Sequence, residues 1–168
     1  MDVSVREYAP SDYHACRSLW TELTDHHRRL YGDRTIGGDD PGSGFDEYLE
    51  TPHRVNSWVA VIDGAVVGLT GLFDHGAGGE VEPVVVTSAR RWRGVGQTLI
   101  ERVAAEAARR GYEYLAVRPV ARNVTAIQSF YEAGFRTLGG HIDLTMDLRD
   151  RRHGWMEGVK LHGLDFRY

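Results

Sequence analysis

The sequence predicts an α/β (α+β) chain, a mixed sheet with helices on both faces, and three observations carry that prediction. Two apolar runs, 57–62 and 65–73, meet at Asp63-Gly64, whose residues both tolerate positive φ and so close a tight antiparallel hairpin. A β-branched run, 80–86, is followed by a basic glycine-containing loop, an amphipathic helix over 97–110 and a buried strand over 114–117. A helix that links two strands of one sheet sets them parallel through a right-handed crossover. Early in the chain, Cys16, Leu19, Trp20, Leu23, His27 and Leu30 recur at helical spacing and give a face to lay on that sheet.

In chain order, 3–7 alternates as a short strand, and Pro10-Ser11-Asp12 supplies the start of the first helix. Residues 32–44, rich in Gly and Asp, read as a mobile loop. A short helix over 45–50 stops at Pro52, the hairpin follows, and His75-Gly-Ala-Gly-Gly79 breaks the sheet before strand 80–86. Helix 97–110 shows Leu99, Ile100, Val103, Ala104, Ala107 and Ala108 on its periodic face, with Gly111 as its stop. Asn123 or Thr125 opens a shorter helix carrying Ile127, Phe130 and Tyr131, closed by Gly134. A strand is expected over 137–148, then a polar Arg/Asp stretch, then a last strand over 158–164. Trp155, Leu161, Phe166 and Tyr168 are too apolar for a free terminus. The tail 150–168 therefore packs either on its own sheet or against a second copy, with strand exchange making a homodimer.

A chain of 168 residues is expected to form one domain, 1–168, that buries a core without staples. The single cysteine, Cys16, rules out an internal disulfide framework and fits a reducing compartment. No apolar run reaches membrane length, and the first residues carry neither the basic flank nor the apolar segment of a signal peptide. The cytoplasm is the expected location, with no membrane partner. A net charge of −4 argues against a nucleic-acid binder, yet the charge is uneven. Residues 1–79 hold 13 acids and 6 bases, and residues 80–168 hold 11 acids and 14 bases. A basic half can attract an anionic cosubstrate and an acidic half a cationic one.

The chemistry concentrates after strand 80–86. Gly94 and Gly96 let the backbone pass close to an anion and aim N–H groups at it, while Arg91 and Arg93 add charge at a helix N-terminus. A dinucleotide fingerprint is excluded because Leu99 stands where its third small residue belongs, and no Gly-Lys-Ser/Thr of a P-loop occurs. Glu80 and Glu82, two apart on the strand, project to one face and bring carboxylates near that phosphate site. His26 and His27 are adjacent on a helix and face about 100° apart, a poor metal pair. His141, His153 and His162 lack ligand spacing, and Cys16 lies in an apolar stripe, so neither a metal nor a covalent cysteine is expected.

Arg91-x-x-Gly94-x-Gly96 after a β-run, with Asn123 and Phe130-Tyr131-Glu-x-Gly134-Phe135 downstream, resembles the GNAT superfamily of acyl-CoA-dependent N-acyltransferases. The likeness is specific over 80–135 and extends in topology over 3–148. It implies a mostly antiparallel central sheet with a splayed parallel strand pair, and acetyl-CoA as cosubstrate. It further implies that the coenzyme A pyrophosphate meets Arg91, Arg93, Gly94, Val95, Gly96 and Gln97, and that pantetheine lies along Val84, Val85 and Val86. The N–H near Val84 would polarise the thioester carbonyl. By the same resemblance a strand glutamate serves as base, Glu82 in preference to Glu80. Tyr131 protonates the departing thiolate, and Asn123 caps its helix and bonds the pantetheine. The acceptor is expected to be a small cationic amine, drawn by Asp33, Asp39, Asp40, Asp46 and Glu47, with attack occurring directly in a ternary complex. A protein N-terminus or lysine, a longer acyl group or hydroxyl acceptor, and a noncatalytic acyl-CoA sensor are the alternatives.

Overall fold

The computed structural model describes residues 2–91, 94–136, 157–161 and 164–167, the last two segments by their backbone. These fall in two compact units, Met1–Pro119 and Val120–Tyr168. In the first, a sheet holds β1 (Ser4–Glu7), β2 (Arg54–Ile62), β3 (Ala65–Asp74), β4 (Gly78–Val86) and β5 (Tyr114–Ala116) in that spatial order. Neighbours are antiparallel except β4 and β5, which run parallel. Asp63 and Gly64 hold φ of 49° and 77°, the left-handed pair that the β2–β3 hairpin requires.

Two helices, α1 (Tyr13–Tyr31) and α2 (Gly44–Glu50), cover one face of the sheet, where Cys16, Leu19, Phe45 and Tyr48 pack on Val59, Leu69, Phe73 and Val85. On the other face α3 (Val95–Arg109) sets Val95 and Leu99 against Ala60, Ile62 and Val67. The alternation of partners along β2 is the period of two that a sheet covered on both sides demands; on β3 a register shift opposite Ala60 and Val61 puts Val67 and Leu69, two residues apart, on opposite faces. Phe45 and Leu99 are each fully buried, and burial of such a side chain stabilises by about 1.5–3 kcal/mol. Helix α3 is the crossover that makes β4 and β5 parallel.

Three expectations need correction here. Gly78 and Gly79 lie inside β4 rather than in a break before it. A Cβ on Gly78 would run into the Tyr114 ring, and one on Gly79 would come within 2.9 Å of Tyr112. Small residues in this strand make room for aromatics rather than mark a turn. The loop 32–43 is tied to α1 rather than loose: Arg28 donates to the carbonyls of Ile36 at 2.8 Å and Gly38 at 2.7 Å, and Thr24 Oγ1 to that of Pro41 at 3.0 Å. Finally, α3 begins at Val95, so Gly96 is its second residue and Gly94 its cap.

The second unit contains α4 (Val124–Glu132) and a two-stranded antiparallel ribbon, β6 (Glu157–Leu161) and β7 (Leu164–Arg167). The tail therefore forms two short strands where one was expected. The expected strand 137–148, along with Trp155, Tyr168 and the histidines at 141, 153 and 162, lies outside the described residues.

Candidate active site

Strand β4 carries an irregularity that shapes everything around it. Thr70 pairs with Val84 and Leu72 with Val81, so Gly71 alone faces both Glu82 and Pro83. The extra residue is a β-bulge, which bends the strand and re-aims its side chains. Gly71 is compulsory there. A Cβ would collide with the Tyr48 hydroxyl and lie 2.7 Å from the Glu82 carbonyl. That hydroxyl is 2.6 Å from Ser57 Oγ, and burial pushes its pKa up to about 12.

Beside the bulge opens a cleft of about 350 Å³. Trp20, Tyr48 and Phe73 form its aromatic wall, with ring centroids 5.2 Å apart for Trp20 and Tyr48 and 5.7 Å for Tyr48 and Phe73. Gly44 at the start of α2 lets the Trp20 indole sit against the backbone. Three carboxylates line the cleft: Glu47 from α2, and Glu80 and Glu82 from β4. Their surroundings differ. Glu80 is only 6% exposed; His75 Nε2 lies 2.9 Å from its Oε2, and Arg118 Nη1 pairs with the same oxygen. Glu82 is exposed, and among the described residues no cation pairs with it or with Glu47.

The expected acidic wall is therefore mostly elsewhere. Asp40 and Asp46 both pair with Arg17, Asp46 also accepts from the Tyr13 hydroxyl at 2.6 Å, and Asp33 accepts from Thr35 N and Oγ1. Asp39 does not line the cleft. Of the five, Glu47 alone does.

At its other end β4 faces a different environment. Pairing with β5 covers Gly78, Gly79 and Glu80 only, so among the described residues Val84, Val85 and Val86 have a ladder partner on the β3 side alone. This is the splay of the parallel pair. After Val86 the chain is pinned twice. Arg91 Nε donates to the Val86 carbonyl at 3.1 Å. Glu22 of α1 accepts from Thr87 Oγ1 at 2.7 Å and Ser88 N at 2.8 Å, and its carboxyl sits below the usual range although burial opposes that, because these bonds and Arg91 favour the charge.

Gly94 caps α3 with φ 79°, a left-handed conformation that favours glycine. No described side chain caps this end, and the N–H groups of Val95, Gly96 and Gln97, in the first turn, have no intrahelical acceptor. Gly96 has no such conformational reason. A Cβ there would find nothing nearer than Val86 Cγ2 at 3.9 Å. Among the described residues, the space above Gly96 is open. Arg93 lies outside the described residues.

In the second unit, Asn123 caps α4, accepting from Ala126 N at 3.1 Å. Tyr131 is 59% exposed, with the Arg136 guanidinium 4.1 Å over its ring. Cys16 is wholly buried, and burial pushes its thiol up to about 12, which leaves it inert as a nucleophile.

Sequence reasoning missed His75, Tyr48, Glu22 and Arg118. Only His75 left a signal: it stands in the short turn that joins β3 to β4, five residues before Glu80. No helix in the described residues is long and apolar enough to cross a membrane.

Comparison with known proteins gives a consistent picture. A family model described as the acetyltransferase (GNAT) family matches residues 14–135. No curated protein matches the sequence. Among solved structures, the aminoglycoside acetyltransferase AAC(6')-Iy in complex with a bisubstrate analogue shares 20% identity at a TM-score of 0.62, over 88% of this chain and 99% of that one. The PaiA N-acetyltransferase of Thermoplasma acidophilum, in complex with coenzyme A, shares 11% at 0.63, over 84% and 94%. A transcriptional regulator of Bacillus halodurans C-125 shares 17% at 0.64, over 86% and 100%. At these identities the likeness is one of fold.

Proposed function

The chain belongs to the GNAT family of acetyltransferases, and from that premise we propose that it transfers the acetyl group of acetyl-CoA to a primary amine of a small cationic acceptor. One observation carries this reading. Among the described residues, a single strand, β4, has an open edge and an uncapped helix N-terminus at one end and an acidic, aromatic cleft at the other.

The coenzyme pyrophosphate would sit on the N–H groups of Val95, Gly96 and Gln97, with Arg91 and Arg93 adding charge. Open space at Gly96 supports a close-approaching ligand there. The pantetheine arm would hydrogen-bond along Val84, Val85 and Val86 like an added strand, with Asn123 as a further contact. This brings the thioester to the bulge. An N–H near Val84 would stabilise the oxygen as charge develops on it, and Tyr131 would give its proton to the departing sulfur.

The acceptor would enter the cleft, where Trp20, Tyr48 and Phe73 suit a cation's flank and Glu82 and Glu47 its charge. We assign Glu82, the exposed β4 carboxylate, to hold the reacting ammonium against the thioester. A 350 Å³ cleft is at the small end of ligand pockets, which favours a small amine over a protein N-terminus. A homodimer through the tail and a cytoplasmic location complete the reading.

Thiol release is the test. Acetyl-CoA should turn over with polyamines or aminoglycoside-like amines and not with neutral or anionic acceptors. Glu82→Gln should raise the acceptor KM roughly tenfold or more, the effect of losing one charge-assisted bond. Calorimetry that finds no binding of coenzyme A thioesters at millimolar concentration would sink the proposal.

A further inference from the structure

We infer that His75, held by Glu80 and Arg118, is the group that takes the proton from the acceptor amine. This rests on the acetyl transfer just proposed for the same cleft.

Glu80 is badly placed to receive a proton. It is almost wholly buried, and its Oε2 already meets both Arg118 Nη1 and His75 Nε2, the latter at 2.9 Å. A buried carboxylate spanned by a guanidinium and an imidazole orients its partners rather than exchanging protons with solvent. His75 is the opposite case. Its side chain is 47% exposed and lines the cleft beside Glu82. Its backbone is fixed by a tight turn, in which His75 N donates to the Gly78 carbonyl at 2.9 Å and Gly76 N to Asp74 Oδ1 at 2.7 Å.

The ring's orientation decides its chemistry. A carboxylate is an acceptor only, so we assign the hydrogen to the nitrogen facing Glu80, Nε2, which leaves the lone pair on Nδ1. No described residue bonds Nδ1. A cleft-lining histidine with one nitrogen set by a carboxylate and the other unbonded among the described residues is the arrangement of a general base.

The step balances as follows. The acceptor ammonium gives one proton to His75 Nδ1 and becomes a neutral amine. Its lone pair forms the C–N bond at the thioester carbonyl carbon, and the C–S bond breaks with its electron pair leaving on sulfur. The sulfur takes a proton from Tyr131, which recovers the second proton lost by nitrogen, while His75 returns the first to solvent. Glu82 holds the ammonium until that proton leaves, so recognition and proton removal belong to different side chains.

The experiment compares His75→Ala, His75→Gln, Glu80→Gln and Glu82→Gln in the full chain, with acetyl-CoA and whichever amine the wild type turns over. Both His75 variants should lose about 10²- to 10⁴-fold in kcat, the usual range for general-base removal, with coenzyme A affinity unchanged by calorimetry. Added imidazole should restore part of the lost rate of His75→Ala in a saturable manner. Glu80→Gln should lower kcat roughly 10- to 100-fold, the usual cost of losing an orienting partner. Glu82→Gln should act chiefly on acceptor KM. Rescue by imidazole, rather than a pH–rate profile, is the decisive readout. Either His75 variant retaining kcat within threefold overturns the inference, as does a loss that imidazole leaves untouched in a folded, coenzyme-binding protein. Both outcomes leave acetyl transfer by the wild type standing. An inactive wild type would instead remove the function on which the inference rests.

Discussion

Gly96→Ala should make the protein more stable and a poorer coenzyme binder at once. Gly96 is the second residue of α3 and has an ordinary helical backbone, and an added Cβ would meet nothing closer than 3.9 Å. Alanine at such a position narrows the unfolded ensemble and stabilises by about 0.4–1 kcal/mol. In a chain of this size that raises the melting temperature by roughly 1–4 °C. If a pyrophosphate lies on the amides of Val95, Gly96 and Gln97, the same methyl group occupies its approach. Loss of one charge-assisted hydrogen bond, about 1.5–3 kcal/mol, weakens binding by roughly 10- to 150-fold. Differential scanning fluorimetry and calorimetric titration with coenzyme A read the two effects separately. Gly94→Ala is the control: φ is 79° there, so alanine costs about 1–2 kcal/mol with no ligand present. A Gly96→Ala protein that binds coenzyme A like wild type would refute the site. A destabilised one would show that the glycine serves packing.

Three further outcomes are expected. Gly71→Ala should destabilise by about 1–3 kcal/mol, the cost of overpacking; Tyr48→Phe in the same chain should recover part of it, as a urea-denaturation double-mutant cycle would show. Glu22→Gln should raise the KM for acetyl-CoA roughly three- to tenfold with kcat little changed, because it weakens the bonds to Thr87 and Ser88 that hold the loop. Glu106 is bonded by Arg109 and Arg110, which hold its carboxyl down to about 2 from 4.5. A depressed folded value means its stabilising contribution is present above pH 4.5 and disappears as pH falls towards 2. Glu106→Gln should therefore flatten that part of the stability–pH curve.

The sheet was legible because its signals are local. Asp63-Gly64 encodes its own turn, and β4, Gly94 and α3 follow one another within one short stretch. What misled was local chemistry with a distant cause. Gly78 and Gly79 look like a break until Tyr114 and Tyr112, more than thirty residues on, are seen to need their space. The acidic wall dissolved because Arg17 reaches Asp40 across 23 positions. Glu22 and Arg118 act through pairings that no sequence period encodes. The carboxylates themselves were found, but which of them is buried depends on a bulge fixed by Gly71 and the Tyr48 hydroxyl.

The open side of β4 has a consequence for handling the protein. Among the described residues, valines 84, 85 and 86 have backbone groups unclaimed on one side and form a short template to which a stray strand could anneal. Pro83, lacking an N–H, interrupts that template just before it reaches the carboxylates, a gatekeeper in the sense used for aggregation-prone strands. A bound cosubstrate would blunt the rest. Preparations kept in coenzyme A should accordingly stay dispersed at concentrations where stripped protein clumps.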